Sequence, residues 1–228
     1  MQPYFLPYIG YFQLIAAVDK FILLDDVNYI NRGWINRNRI SIRGQPHWVT
    51  LPLVKASQNR LISEIELQSN TDWRRKLAQT VRANYAKAPF FAQAYPIIEK
   101  VFDFPTLNLS AFLYHSFGLV TAYLGITTLI MPTSAVYPRG DLKGQHRILD
   151  ICQRVGATSY LNPPGGKELY DVELFSAGGV ELHFLEPNLY EMNLIYGGNE
   201  GPILSILDLM MLNDPNLIKQ NLECYQLT

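Results

Sequence analysis

Residues 2–26 read QPYFLPYIGYFQLIAAVDKFILLDD, and this stretch decides the fold class of the chain. Pro3, Pro7 and Gly10 mark a short connection, and the apolar positions between Ile9 and Val18 have helical spacing. The apolar run FILL that follows is typical of a buried strand, and it ends in two aspartates. Strand, loop, helix and strand in this order predict an α/β domain with an open, mainly parallel sheet flanked by helices. Ligands bind such sheets at the carboxyl ends of the strands.

Residues 25–39, DDVNYINRGWINRNR, are too polar for a core and too varied for a spacer. Arginine forks suit carboxylate or phosphate, asparagine both donates and accepts hydrogen bonds, and aromatic rings offer a stacking face. The segment therefore predicts a site for a polar, anionic small molecule. Its residues are Asp25, Asp26, Tyr29, Arg32, Asn36, Arg37 and Arg39, joined by Gln2, Tyr4 and Tyr11 from the preceding connection and helix.

Two alternatives for the segment 25–39 remain open. In one, the arginines and asparagines belong to a β-hairpin, where they are solvated or cap turns. In the other, Asp25 and Asp26 form structural ion pairs with the arginines, as adjacent opposite charges commonly do.

A second polar concentration lies between Arg139 and Pro187, around the sequences RGDLKGQHR and NPPGGK. A helix that starts at Gly144 would point its free backbone N–H groups toward the ligand edge of the sheet. The predicted anion-binding residues here are Lys143, Gln145, Arg147, Gly165, Gly166 and Lys167. The alternative is that the two glycines only turn the chain. Neither a GxxxxGK[ST] loop nor a GxGxxG motif is present, so no nucleotide cofactor is indicated.

Composition excludes several classes of protein. The net charge of −1 does not suit a nucleic-acid binder, which needs a basic face. Cys152 and Cys224 are far apart and form no CxxC pair, which predicts neither a disulfide framework nor a zinc ribbon and favours the reducing cytoplasm. The histidines are scattered without HxH or HExxH spacing, so we expect no metal site and no cofactor.

Residues 104–138 contain no charged side chain and are long enough to span a bilayer. Their interior polar residues favour a soluble interpretation instead: a helix over about 109–124, a stop at Gly125 and a buried strand. No secretory signal is expected, because the N-terminus lacks a basic segment and its apolar run is interrupted by Pro3 and Pro7.

The rest of the chain predicts a β-hairpin insertion and a mainly helical middle. NRISIRG and HWVTLPL alternate like two strands that turn at 44–46. We expect one domain over residues 1–228, in which residues 70–125 form a helical subdomain at most.

The stretch QPYFLPYIGYFQLIAAVDKFILLDDVNYINRGWINRNRI resembles the opening signature of the WbqC-like family. The resemblance continues through RILDICQRVGATSYLNPPGGKELY to LSILDLMML, and so covers nearly the whole chain. Family members usually carry several apolar residues before MQP, which implies a start that is truncated or misassigned and leaves the pairing of the first strand open. They occur in bacterial gene clusters for surface polysaccharides such as O-antigen, and transfer of glycine or another amino acid to a sugar has been proposed for one.

The resemblance thus implies a cytoplasmic transferase that modifies a nucleotide-linked amino sugar, with Asp25 or Asp26 as the base for the attacking amine. The alternative from another class is a non-catalytic adaptor that binds a nucleotide sugar or glycan precursor for a partner enzyme. A nucleotidylyltransferase-like enzyme is a third hypothesis, since YIGY occupies the place of the phosphate-binding HxGH, although tyrosine carries no positive charge. The expected partner is a small molecule, and the sequence indicates no oligomeric state.

Overall fold

The computed structural model describes residues 1–70, 72–188, 190–192 and 203–228. The described helices are α1 Ile9–Ala16, α2 Asp72–Tyr85, α3 Phe91–Asp103, α4 Leu109–Leu124, α5 Gly144–Arg154, α6 Val172–Ala177, α7 Ile206–Leu212 and α8 Pro215–Asn221. The described strands are β1 Lys20–Ile22, β2 Arg37–Ile42, β3 Gln45–Thr50, β4 Leu53–Val54, β5 Glu66–Leu67, β6 Leu129–Met131, β7 Ser159–Asn162, β8 Glu181–Pro187 and β9 Tyr225–Leu227.

The described strands form four small sheets. β1 pairs with β6 in parallel, and Phe21 lies opposite Ile130. β7 pairs with β8 in parallel, and β9 adds to the other edge of β8 in the antiparallel direction. β2 and β3 form the predicted hairpin, and β4 pairs with β5.

The prediction of one open, mainly parallel sheet is wrong for the described residues. The chain is mixed α/β as expected, but a groove lies between β1 and β7, where a continuous sheet would need another strand. Among the described residues, Met1 is the one that pairs at this position. Its amino group donates to the Ile22 carbonyl at 2.9 Å, and its carbonyl accepts from the Leu24 N–H at 2.8 Å. The parallel core is therefore divided into a β1–β6 pair and a β7–β8–β9 sheet.

The helical middle follows ordinary helix signals. The Asn108 side chain accepts from the Ala111 N–H at the start of α4, which satisfies one of the free donors there. Gly125 ends α4 with φ of 69°, a left-handed conformation that glycine adopts without steric cost. The predicted helix and stop are confirmed. In the part of the chain that the structure describes, every helix is too short or too polar to cross a bilayer.

One large apolar core joins the N-terminal segment to the helical middle and to α7. Phe5 and Phe12 of the N-terminal segment lie 6.4 Å and 6.2 Å, between ring centroids, from Phe112 and Phe117 of α4. A second, smaller core packs α5 and α6 against β7 and β8 around Phe175, which is fully buried. Leu23, directly after β1, belongs to the large core, and the next residue, Leu24, packs against the small one.

Candidate functional site

The candidate site lies where β1 and β6 end. Asp25 and Asp26 begin three residues after β1, and Thr133 and Ser134 begin two residues after β6. Because the strands are parallel, both ends meet at one edge. The Leu23 N–H donates to the Met131 carbonyl at 3.1 Å, which extends the pairing up to the aspartates.

Asp25 is 2% exposed and is held through one carboxylate oxygen. Its Oδ1 accepts from the Thr133 hydroxyl at 2.6 Å and from the Ser134 N–H at 3.3 Å. Among the described residues, no hydrogen bond reaches its Oδ2. Asp25 thus presents one oriented carboxylate oxygen that is not engaged by these neighbours.

Asp26 is engaged through both oxygens. Its Oδ1 accepts from the Ser134 hydroxyl, and its Oδ2 accepts from Nη2 of Arg147 at 2.9 Å. Arg139 adds a hydrogen bond to the Asp26 backbone carbonyl at 2.9 Å. The two adjacent carboxylates therefore differ in their environments.

Arg147, in the first turn of α5, is 1% exposed and connects four groups. Besides Asp26, its guanidinium donates to the carbonyls of Ser134 and Tyr137, at 3.0 Å and 2.6 Å, and to Asp150 at 3.2 Å. Such a buried cation is stable only because these acceptors replace water. Its engagement means that Arg147 orients Asp26 and the loop after β6 rather than offering a free cation to a ligand.

The amino end of α5 comes to the same edge through this contact. Lys143 precedes the helix and is exposed, and the backbone N–H groups of the first turn point away from the helix body. Gln145 instead accepts from the Asp171 N–H at 2.7 Å through Oε1, which ties α5 to the start of α6. The exposed Lys143 therefore remains available for contact with an anionic ligand.

The side chains of the N-terminal connection are mostly engaged in packing, and little of their surface is open to a ligand. The Tyr11 hydroxyl donates to the Gln2 carbonyl at 2.7 Å, and its ring stacks on Phe117 at 5.3 Å between centroids. Burial raises the pKa of Tyr11 well above its ordinary value, so this phenol stays neutral. Tyr4 lies 5.4 Å from Tyr11, between ring centroids, and remains partly exposed, as does Gln2. Tyr11 thus holds the connection in place. Because its phenol is buried and neutral, it supplies no phosphate-binding group where nucleotidylyltransferases have the second histidine of HxGH.

The structure separates the arginine-rich segment from the aspartates. Among the described residues, Arg32, Arg37 and Arg39 form no hydrogen bond or ion pair with Asp25 or Asp26. Arg37 donates to the carbonyls of Arg32 and Gly33, and Arg39 donates to the Ile203 carbonyl at 3.2 Å. The ion pair of Asp26 is formed with Arg147 instead, a partner 121 residues away.

Asn36 and Tyr29 have structural partners. Asn36 is buried, accepts from the Tyr29 hydroxyl at 2.8 Å and donates to the Leu51 carbonyl at 3.0 Å. These bonds join the segment before the hairpin to the segment after it.

An exposed aromatic pair is formed by one tryptophan just before the hairpin and one within it. Trp34 and Trp48 lie 5.3 Å apart between ring centroids and are 38% and 48% exposed. The Arg37 guanidinium stacks 4.1 Å from the Trp48 ring, and Arg39 lies 5.5 Å from Trp34. We call these four residues the tryptophan–arginine surface. It is a second place where a planar or anionic ligand could bind.

The glycine loop after β7 is tightly packed. A Cβ on Gly166 would lie 2.2 Å from Nδ2 of Asn162, so a larger residue here would have to displace the Asn162 side chain, whereas Gly165 is open. Lys167 forms an ion pair with Glu186, and this hydrogen bond lowers the pKa of the Glu186 carboxyl. Lys167 is thus paired with β8, away from Arg147.

Sequence reasoning missed Thr133 and Ser134, which hold both aspartates. Their signal was their place directly after β6, at the same edge as Asp25. It also missed Asp208 of α7, which accepts from the Ser41 N–H at 2.8 Å and from the Tyr85 hydroxyl. Burial raises the pKa of Asp208 to about 6. Across the described residues there is no group of three or more histidine, cysteine or acidic side chains that could hold a metal ion.

Comparisons with known proteins place the chain in one family. The sequence profile of the WbqC-like protein family matches residues 2–220. The chain is also 32% identical over 213 residues to the uncharacterized protein Rv1507c of Mycobacterium tuberculosis, an alignment that covers 92% of this chain and 90% of the relative. No solved structure matches. The match over nearly the full length shows that this chain belongs to the WbqC-like protein family.

Proposed function

We propose that the protein is a transferase that modifies a nucleotide-linked amino sugar in bacterial surface-polysaccharide or O-antigen biosynthesis, by transfer of an aminoacyl group such as glycyl. The observation that carries the proposal is the Arg147–Asp26 contact of 2.9 Å. It brings the amino end of α5, which favours anions, to the pair of carboxylates, which can serve a nucleophilic amine. We place the activity in the cytoplasm, which the two free cysteines suit.

Asp25 is the proposed base. Its Oδ1 is fixed by Thr133 and Ser134, and its Oδ2 accepts no hydrogen bond from the described residues, so Oδ2 has room for one more donor. The sugar amine would lose a proton to this oxygen as its nitrogen attacks the acyl carbonyl. The C–N bond forms, the bond to the leaving group breaks, and Asp25 returns the proton to the leaving group. Asp26 is a positioning residue, because Ser134 and Arg147 already occupy it.

The diphosphate of the substrate would lie at the start of α5. The first N–H groups of this helix carry a partial positive charge, and Lys143 adds a full one. Arg139 and Arg147 hold the intervening backbone and carboxylate in place. In this proposal the phosphate binds at α5 and the reacting amine binds at Asp25.

Substrate contact with Asp25 requires a local opening, since the carboxylate is 2% exposed. Thr133 and Ser134, which donate hydrogen bonds to Asp25, belong to the irregular segment between β6 and α5. A shift of this segment on binding would expose Oδ2 and exclude bulk water afterwards.

One observation favours a second function, that of a non-catalytic binding adaptor. The recognition groups that already face solvent are those of the tryptophan–arginine surface, not the aspartates. A nucleobase or sugar ring could stack there without any opening. In that case the affinity for the ligand would depend on Trp48 and Arg37, and Asp25→Asn would leave this affinity unchanged.

Calorimetric titration with UDP-linked glucosamine, which has a free amine, tests the two functions. The transferase proposal predicts that Lys143→Ala weakens binding, whereas Arg43→Ala on the exposed hairpin turn does not. It further predicts that Asp25→Asn retains binding but abolishes formation of the glycyl amide from an activated glycine donor, as followed by mass spectrometry. Loss of binding in Trp48→Ala with unchanged binding in Lys143→Ala would support the adaptor and contradict the transferase.

A further inference from the structure

The outer face of the β2–β3 hairpin carries most of the tryptophan–arginine surface. Arg37 and Arg39 alternate along β2 with the buried Asn38 and Ile40, so both arginines point away from the core. Trp48 lies directly opposite Arg39 on β3, and the side chains of paired residues share a face of the hairpin. One sheet face thus holds two guanidinium groups around an indole ring that is about half exposed.

Buried hydrogen bonds hold the second indole ring, that of Trp34, beside the first. The Phe5 N–H donates to the Trp34 carbonyl at 3.0 Å. Leu6 follows with a φ of 40°, a left-handed conformation that leucine rarely adopts. Its carbonyl accepts from Nδ2 of Asn38 at 2.8 Å and from the Ser205 hydroxyl at 2.7 Å. Strain of this kind persists only where the surroundings fix it, and it is common at binding sites, so the surface is preformed.

The two arginines of this face retain free donors and charge. Arg37 uses Nε and Nη2 to bind the carbonyls of Gly33 and Arg32. Arg39 uses Nη2 to bind the Ile203 carbonyl. Among the described residues, Nη1 of each guanidinium has no acceptor, and neither arginine forms an ion pair with an acidic side chain. Two free donors on neighbouring cations match the two oxygens of one carboxylate.

The distribution of charge along the chain favours a small anion over a long polyanion. Residues 27–63 contain six lysine and arginine side chains and no acidic one. Because the whole chain has a net charge of −1, the residues outside this segment have a net charge of −7. A nucleic-acid strand that extends beyond the hairpin would meet this negative charge, whereas salt limits its effect on a short ligand to about 8 Å.

Hydroxyl groups beside the indole rings suit a saccharide. Thr50 pairs with Arg37 and is exposed, and Ser41 follows Arg39 on the same face of β2. Each hydroxyl both donates and accepts hydrogen bonds, as sugar hydroxyls do. An indole ring has a large apolar face and a polar N–H, so it can pack against the C–H face of a pyranose. The face therefore combines apolar, hydroxyl and cationic groups.

We propose that the tryptophan–arginine surface binds an acidic saccharide. Its pyranose ring packs on the exposed parts of Trp34 and Trp48, and its carboxylate accepts from Nη1 of Arg37 and of Arg39. The inference goes beyond the proposed function, because it adds a second ligand at a surface that forms no hydrogen bond with the aspartates. It also selects a sugar ring, rather than a nucleobase, as the group that stacks there.

Indole N–H NMR of the ¹⁵N-labelled full chain tests the proposal, with digalacturonate as the probe. The chain has three tryptophans, and the third, Trp73, is buried and donates from Nε1 to the Gln68 carbonyl at 3.1 Å. We expect saturable shifts of the Trp34 and Trp48 signals and no shift at Trp73. Digalactose of the same linkage, which lacks the carboxylates, should bind about 10- to 100-fold more weakly, as expected for loss of a charged hydrogen bond.

Variants separate the site from the general charge of the hairpin. Arg39→Gln should weaken digalacturonate binding about 10- to 100-fold. Arg43→Gln removes the same charge at the exposed hairpin turn and should weaken binding by less than about threefold. Trp48→Leu should weaken binding about 2- to 10-fold through the lost ring contact. Asp25→Asn should bind the saccharide unchanged, so failure of this proposal and failure of the transferase proposal are distinguishable.

Three results would overturn the proposal. One is the absence of saturable shifts at Trp34 and Trp48, and another is equal affinity for digalacturonate and digalactose. The third is tighter binding of an eight-nucleotide thymidine strand with shifts at the same two signals, which would assign the surface to single-stranded nucleic acid.

Discussion

Removal of Arg147 should destabilise the protein more than neutralisation of its partner Asp26. Arg147→Met leaves the buried Asp26 carboxylate with the Ser134 hydroxyl as its remaining side-chain donor, and leaves the carbonyls of Ser134 and Tyr137 without the guanidinium. Loss of one partner from a buried pair costs about 3–5 kcal/mol. In Asp26→Asn, by contrast, Arg147 keeps Asp150 and both carbonyls. That variant should lose about 1.5–3 kcal/mol, the range for a hydrogen bond to a charged group.

Urea unfolding followed by circular dichroism measures both changes, and the double variant completes the cycle. We expect the two losses to be non-additive, with a coupling of about 1–3 kcal/mol, because the groups are in direct contact. Arg154→Met is the matched control, since Arg154 also pairs with Asp150 but is 47% exposed. It should cost less than about 1 kcal/mol. An Arg147→Met variant as stable as Arg154→Met would refute the reasoning that this ion pair organises the site.

Two further predictions concern stability. Burial raises the folded-state pKa of Asp208 from 3.8 to about 6, so its contribution should stabilise the protein as pH falls from 6 to about 4, by about 3 kcal/mol. Asp208→Asn should lack this gain when unfolding is compared at the two pH values. Gly125→Ala should cost about 1 kcal/mol in thermal unfolding because of its φ of 69°, whereas Gly118→Ala within α4 should be neutral or stabilising.

Local elements could be predicted because their signals are short-range. Asn108 and Gly125 bound α4 through interactions within one turn, and Gly44 turns the β2–β3 hairpin with φ of 77°. The sheet could not be predicted in the same way. Whether β1 and β7 become neighbours depends on what lies between them, and the described structure has a groove there.

The convergence of the two polar segments could be predicted from the sequence, but the partners of their side chains could not. The end of β1 and the start of α5 converge, as expected for a parallel sheet, and this places Arg147 against Asp26. Arg37 and Arg39 instead belong to β2 of the hairpin, where Trp48 and backbone carbonyls bind them. A polar segment of fifteen residues thus contributes to two surfaces, because the chain turns between Asp26 and Arg37.

The most direct test of the central claim is ¹³C NMR of the aspartate carboxyl carbons during titration with UDP-linked glucosamine. Asp214, at the start of α8, is the internal control, since its carboxylate accepts from the Asn216 N–H on a distant helix. The account predicts a saturable shift of the Asp25 carboxyl signal, abolished in Asp25→Asn, with no change at Asp214. Binding of the nucleotide sugar without any shift at Asp25 would contradict the assignment of this carboxylate to the site.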